Sequence, residues 1–304
     1  MLRTDLAIEA KELYHENVGD ITEIEGIKAR SEEIEGVTVS YVEVMNETGS
    51  KNIGKPVGNY YTIEIPQFRQ LGYAYYYLAT ELLSAELKKI LPDMKKKTAL
   101  VIGLGNRHIT SDALGPFVVD KLIVTRHLFE LASEKIGKLG SLCAVSPSVL
   151  GLTGIETSEI VKGICQKVEP GAVILVDALA SRKTDRVATT IQMSDTGLNP
   201  GAGIGNHRKE ITKAYLGVPV ISIGVPMVVD VLTVAYDSVC ELGNPVSQAI
   251  LDNLAEKKQG ENTSFIVTPK DIDKLTSQMA NIISSAINIT FHDIEIEDID
   301  SYLG

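Results

Sequence analysis

Ala172-Val173-Ile174-Leu175-Val176-Asp177 is the stretch whose reading decides the fold. Five apolar residues follow one another without the alternation of a half-solvated strand, and an aspartate comes directly after them. Such a run suits a parallel strand covered on both faces. Ala99-Leu100-Val101-Ile102-Gly103 has the same character and stops at a glycine turn, and Val218 to Val225 makes a third run. A helix is expected from about Gly115 to Lys135 and another from Asn244 to Lys258, followed by a short strand from Ser264 to Val267. Thr268-Pro269-Lys270-Asp271 looks like a helix start, with threonine as the N-cap, proline at the first helical position and an acid at the third. Ile272, Leu275, Met279, Ile282 and Ala286 then keep helical spacing. Alternating strands and helices define an α/β fold: three layers, a mostly parallel sheet and helices on both faces.

The first ninety-odd residues differ in character. Ala7 to Glu16 is acidic and helix-prone, Val37 to Val44 alternates as a half-buried strand, and Tyr60 to Ile65 does the same. Asn46 to Asn59 has several polar-glycine breaks and reads as a loop. Tyr73 to Leu91 carries Tyr76, Ala79, Leu83, Leu87 and Ile90 at helical spacing, with Pro92 behind it. Residues 6–95 are therefore read as an added β-containing layer of one domain spanning 1–304. Residues 293–304 are read as an acidic C-terminal tail.

Composition narrows the function classes. The 304 residues are 44% hydrophobic and 23% charged, ordinary for a folded domain. A net charge of -11 repels phosphate backbones and anionic lipid, so neither nucleic acid nor membrane is an expected partner. Apolar runs are strand-sized and no signal peptide opens the chain, which points to the cytoplasm. Cys143, Cys165 and Cys240 form no CxxC pair and sit in or beside apolar stretches, as buried thiols do. His15, His108, His127, His207 and His292 show no HExxH or similar spacing, and no metal or cofactor is expected, although residues distant in sequence can still assemble a site in space.

In open α/β sheets, ligands and catalytic groups collect beyond the carboxyl ends of the strands. Asp177 stands at such an end, where a carboxylate must be paired, hydrogen-bonded or catalytic; the bland alternative is a cap for a following turn. Asp112 follows the other buried run, in Asp112-Ala113-Leu114-Gly115-Pro116, and would ordinarily cap a helix. Together the two could share one site and divide the acid and base roles between them. Gly103-x-Gly105 is not a dinucleotide fingerprint: position 108 is His108, and no helix opens at once. Asp195 to Asn206 carries glycines at 197, 201, 203 and 205, which would let main chain approach a bound peptide or simply form a surface loop. Asp230 is a further acidic neighbour or a plain surface residue.

These segments in order resemble the germination protease family of spore-forming bacteria. The matching pieces are Arg3-Thr4-Asp5-Leu6-Ala7-Ile8-Glu9, Gly103-Leu104-Gly105-Asn106 with Thr110 to Pro116, and Leu150 to Thr157. They continue through Asp177-Ala178-Leu179-Ala180-Ser181-Arg182, Thr190-Ile191-Gln192, the Asp195 to Asn206 loop and Leu216 to Asp230. Ser111 and Ser148 stand where that pattern has Pro and Gly. A fainter similarity, at the glycine-asparagine turn and the two acidic positions, is to the hydrogenase maturation endopeptidases, where those acids bind metal.

The resemblance implies a phosphorylase/hydrolase-like fold, a homotetramer, and an atypical aspartic-type endopeptidase whose essential pair falls on Asp112 and Asp177. It implies small acid-soluble spore proteins as substrate, within the spore core or forespore. It further implies a zymogen that loses residues 1–5 between Asp5 and Leu6, by self-cleavage. Main-chain groups at Gly105, Asn106, Gly201, Gly203, Gly205 and Asn206 are the oxyanion and substrate-binding candidates. An acidic substrate preference would need a local basic rim, for which Arg182, Arg186 and Arg208 are the candidates. A metallopeptidase using the same aspartates as ligands, and a non-catalytic binding protein, are the rival readings.

Overall fold

The computed structural model describes residues 4–18, 23–91, 93–94, 97–132, 138–199, 209–241 and 265–303. Its strands are β1 (Ile27–Ile34), β2 (Val37–Val44), β3 (Gly58–Glu64), β4 (Ala99–Gly103), β5 (Leu142–Val145), β6 (Ala172–Ser181), β7 (Thr190–Ser194), β8 (Val220–Asp230) and β9 (Ile266–Val267). They form one sheet in the order β1-β2-β3-β7-β8-β6-β4-β5, with β9 paired to β8. The continuous apolar runs supply its parallel half: β5, β4, β6 and β8 all run the same way. The other half is antiparallel and joins through β7, which pairs with β3 on one side and β8 on the other. The strands of the N-terminal segment are thus an extension of the same sheet, which is mixed.

Helices cover both faces. On one, Tyr76–Ile90, Leu114–Val119 and the long helix Ile272–Phe291 pack over Tyr61, Ile63, Val101, Ile174, Val176 and Ile223. On the other, the N-terminal helix Ala7–Val18 packs over Val42, Val44, Tyr60 and Leu179. The helix Thr157–Val168 lies over Leu100, Ile102, Val173 and Leu175 on that same face. The strand period of two sorts the residues: Leu175, Asp177 and Leu179 point to the second face, Ile174 and Val176 to the first.

Several elements differ from expectation for local reasons. β1 is polar except for Ile27, Ala29 and Ile34, and exposed between its ends at the sheet edge, so no apolar pattern announces it. Glu47–Ile53 is a helix inside the expected loop, capped by the Asn46 side chain on the Gly49 N–H and closed by left-handed Gly54. The helix expected from 115 to 135 is two, Leu114–Val119 and Arg126–Ala132. At the break, Asn288 of the long helix accepts from the Ile123 N–H (3.0 Å) and donates to the Lys121 carbonyl (3.0 Å). Thr268 caps nothing; its hydroxyl donates to the Met227 carbonyl, and the long helix begins at Ile272. The acidic end folds as a short turn and the helix Ile299–Leu303, with Ile299 buried. Ser148, where the family pattern has glycine, has φ 66°, the left-handed region that glycine favours. The expected helix 244–258 lies outside the described residues.

His292, buried at the end of the long helix, ties this region together. Its Nε2 donates to the Ile123 carbonyl (2.9 Å) and its Nδ1 accepts the Gly140 N–H (3.2 Å), which requires the neutral ring. Burial holds this imidazole below its ordinary range, against the pull of the Ile123 bond. The unfolded chain therefore takes up this proton first as pH falls below about 6.5. The contribution of His292 is complete above that value and is lost on the way down to its folded pKa. Urea denaturation at pH 8 and pH 5 is expected to show a steeper loss of stability for the wild type than for His292→Gln; equal slopes would count against the assignment.

Candidate active site

Asp177 is not a turn cap. β6 continues past it to Ser181, and it sits within the strand opposite Gly224 of β8. It is 6% exposed, and its Oδ1 accepts the N–H of Ala178 at 2.9 Å. Beside it, β4 ends: Gly103 is the last residue paired with β6, and the Leu104 N–H still reaches the Val176 carbonyl at 2.8 Å.

The chain leaving β4 carries the second aspartate. Asp112 closes the single turn Thr110–Asp112, which packs against the long helix Ile272–Phe291 and also touches β6 and β8. Its Oδ2 accepts the Asn106 N–H at 2.8 Å. Gly105 makes that closure possible: its φ is 108°, and a Cβ there would stand 2.0 Å from the Asp112 carbonyl oxygen. Nor is Asp112 a helix cap, since Leu114–Val119 has Ala113 at its N-cap position and no capping side chain. Asp112 thus lies beyond the carboxyl end of β4, and Asp177 lies on the neighbouring parallel strand just past the last β4 pairing, near where an α/β sheet gathers its ligands.

The register extends the site across the sheet. Asp177 pairs with Gly224, and Gly224 pairs with Gln192 of β7. Residues in one row share a face, so Asp177 and Gln192 both point toward the N-terminal helix, two strand spacings of about 4.8 Å apart. Gly224 carries no side chain between them, and Leu179 fills that space: a Cβ on Gly224 would stand 2.5 Å from its Cγ.

The N-terminal segment lies on this face. Asp5 donates its N–H to the Ala180 carbonyl (2.9 Å) and accepts the Ala180 N–H on Oδ2 (2.8 Å). Its own carbonyl accepts from Gln192 Nε2 at 3.1 Å, and the Ala7 N–H donates to Gln192 Oε1 at 2.7 Å. Leu6, between them, is wholly buried in the cluster that includes Leu179 and Tyr60. Lys55 Nζ donates to the Thr4 carbonyl at 2.9 Å. Burial pushes the Lys55 ammonium below the ordinary lysine range, and the nearby Asp5 and Glu9 carboxylates pull it back up.

The expected basic rim of Arg182 and Arg186 is not there. Both are inside, 6% and 9% exposed, and each is committed to carboxylates. Arg182 reaches Glu16 (2.8 Å) and Asp237 (3.3 Å); Arg186 reaches Glu12 (2.7 and 2.9 Å) and Glu64 (2.6 Å). They brace the N-terminal helix, and Lys55 is the cation beside Asp5 instead. Asp230 accepts the Leu232 N–H at 2.8 Å, a helix-start contact. Burial raises the Cys143 thiol and pushes Cys165 up to about 11, so neither is a ready nucleophile. Gly201, Gly203, Gly205, Asn206 and Arg208 lie outside the described residues, as does His207; Leu198 and Ile211 exchange main-chain bonds of 3.1 and 2.8 Å. Among the described residues, no three His, Cys, Asp or Glu side chains are grouped so that they could hold a metal ion. No helix among them is long and apolar enough to cross a membrane. Sequence reasoning passed over Gln192 and Lys55; the one available signal was a polar Gln192 inside an otherwise strand-like run.

A profile described as germination protease matches residues 7–263. A germination protease of Clostridium perfringens is 40% identical, covering 100% of this chain and 99% of its own length. That of Clostridium tetani is 42% identical, with the same coverage of both. The chain belongs to the germination protease family. Membership makes it a protease of spore germination. A solved nickel–iron hydrogenase maturation protease, HycI from Thermococcus kodakarensis, aligns with a TM-score of 0.33 and 17% identity, over 66% of this chain and 97% of its own. A likeness at that score carries no weight.

Proposed function

We propose that this chain is an endopeptidase that opens the degradation of small acid-soluble spore proteins, is made as a zymogen, and uses Asp112 and Asp177 to activate water. One observation carries the reading: the Asp5–Leu6 peptide is held on the sheet face to which Asp177 points, by Gln192 Nε2 on the Asp5 carbonyl and by bonds of the Asp5 N–H and carboxylate with the Ala180 main chain. A zymogen that cuts itself at that bond must present it to its own site, and the residue before the bond is an acid. The Asp5 carboxylate is met by the Ala180 N–H, and Lys55 lies close to it, which suits an acidic residue at the same place in a substrate. In this mechanism one carboxylate, ionised, takes a proton from water as the water attacks the carbonyl carbon. The other, protonated, donates to the departing amine. A homotetramer belongs to the same reading.

The test is mass spectrometry of a small acid-soluble spore protein incubated with the chain beginning at Leu6, its folding checked by circular dichroism. The reaction is run with and without a chelator, and the enzyme is sized by light scattering, where four copies are expected. Discrete cuts after acidic residues that survive the chelator support the reading. Cuts lost to the chelator and restored by a divalent ion would move the aspartates to a metal site. No cleavage by a folded chain would sink the proposal.

A further inference from the structure

We infer that Gln192 is the residue that grips the bond to be cut: its Nε2 is the donor to the scissile carbonyl, and its Oε1 holds the N–H two residues beyond. This rests on the proposed cut between Asp5 and Leu6. If that bond is the one broken, the Asp5 carbonyl is the reacting carbonyl, and Gln192 already donates to it at 3.1 Å. The Ala7 N–H, on the far side of the bond, donates to the same carboxamide at 2.7 Å. These two bonds fix which end of the amide is which, since only –NH₂ can donate to a carbonyl and only oxygen can accept from an N–H. A carboxamide spanning both sides of one peptide bond holds it in register without reading any side chain.

Its surroundings favour this role over that of a simple tie for the N-terminal helix. Gln192 is 8% exposed, so a lost partner would leave a buried polar group unsatisfied. It shares a row and a face with Asp177, across Gly224, over which Leu179 packs. When residues 1–5 leave, Oε1 keeps the Ala7 N–H while Nε2 loses its acceptor. An oriented donor is then uncovered on the face of the catalytic candidate, and a substrate carbonyl is a group that satisfies it. The same donor would serve the chain's own bond first and substrate bonds afterwards. During hydrolysis water's oxygen bonds to the carbonyl carbon, the C–N bond breaks, and the amine takes a proton. Gln192 contributes only a hydrogen bond, strongest as the carbonyl oxygen becomes an oxyanion.

Gln192→Glu separates the two roles, because a carboxylate still accepts the Ala7 N–H but cannot donate to a carbonyl. In the full chain, mass spectrometry is expected to show wild-type self-cleavage at Asp5–Leu6 and a rate at least about 100-fold lower in Gln192→Glu and in Gln192→Met. In chains beginning at Leu6, Gln192→Glu is expected to lower kcat on a small acid-soluble spore protein about 10²- to 10³-fold, with KM changed less than about threefold. A purely structural Gln192 would instead lower Tm and leave the kcat of folded enzyme within about threefold of wild type, and that result overturns the inference. Wild-type self-cleavage at another bond would remove the processing reading alone; the kcat of the Leu6 chains would still decide for or against Gln192.

Discussion

Asp177→Asn and Asp112→Asn are each expected to lower kcat/KM on a small acid-soluble spore protein by at least about 10³-fold while the chain stays folded. The substitution is nearly isosteric, and the contacts that place each side chain can be kept. An amide oxygen introduced at position 177 can still accept the Ala178 N–H, and one introduced at position 112 can still accept the Asn106 N–H. What an amide cannot do is take a proton from water or give one to a leaving amine. At position 177 a second readout is available. The native carboxylate is 6% exposed inside a strand, where a charge is costly to keep. Removing it should leave thermal stability unchanged or raise it, the usual signature of a group retained for chemistry. Full-length chains carrying either substitution should also remain uncut at Asp5–Leu6. Activity within about tenfold of wild type in one variant would remove that aspartate from the mechanism; a large fall in Tm would show that it works mainly as a structural anchor.

Glu9→Ala is expected to be the most destabilising single change in the N-terminal segment, at about 3–5 kcal/mol. Glu9 is 1% exposed and its carboxylate is surrounded by donors. The N–H groups of Arg182 and Lys183 donate to it at 2.7 and 3.0 Å, the Thr4 hydroxyl donates as well, and Arg186 lies 3.5 Å away. Alanine would leave the buried Arg182 amide and the partly buried Lys183 amide without their acceptor just past the end of β6, five and six residues beyond Asp177. It would also reduce the compensation of buried Arg186, which Glu12 and Glu64 then share alone. The same network makes the segment acid-sensitive. Burial works to raise Glu12, but bonds from Arg186 and Lys183 outweigh it and hold its carboxyl below the ordinary range. That stability is present above the unfolded value of about 4.5 and is lost as pH falls through the folded one. Urea denaturation at pH 7 reads the Glu9 effect as a drop in midpoint at unchanged slope; a cost below about 1 kcal/mol would mean that water replaces the carboxylate at little penalty.

The residues that could be read in advance were those whose neighbours in sequence share their environment. β4 and β6 are buried on both faces, so their apolar character is continuous and visible in one line of text. The aspartates stand out against it because an acid at the end of such a run needs a reason. β1 escaped because an exposed edge strand has no apolar face to display. The helix Glu47–Ile53 escaped because its capping residues, Asn46 and Gly54, are the same types that make loops. Arg182 and Arg186 read as surface charge because nothing near them in sequence announces Glu9, Glu12, Glu16 and Glu64 as partners.

By itself, the sequence determined the α/β class, the two candidate aspartates and, through its ordered motifs, the family. Composition, apolar periodicity and contiguous motifs are local properties, and those conclusions need nothing more. Only the tertiary structure decided that Asp177, Gly224 and Gln192 stand in one row, that the Asp5–Leu6 peptide lies on that row's face, and that the arginines are braces. Each of those depends on the register between strands far apart in sequence, and register is set by packing across the sheet, where a shift of one residue would turn every side chain to the other face.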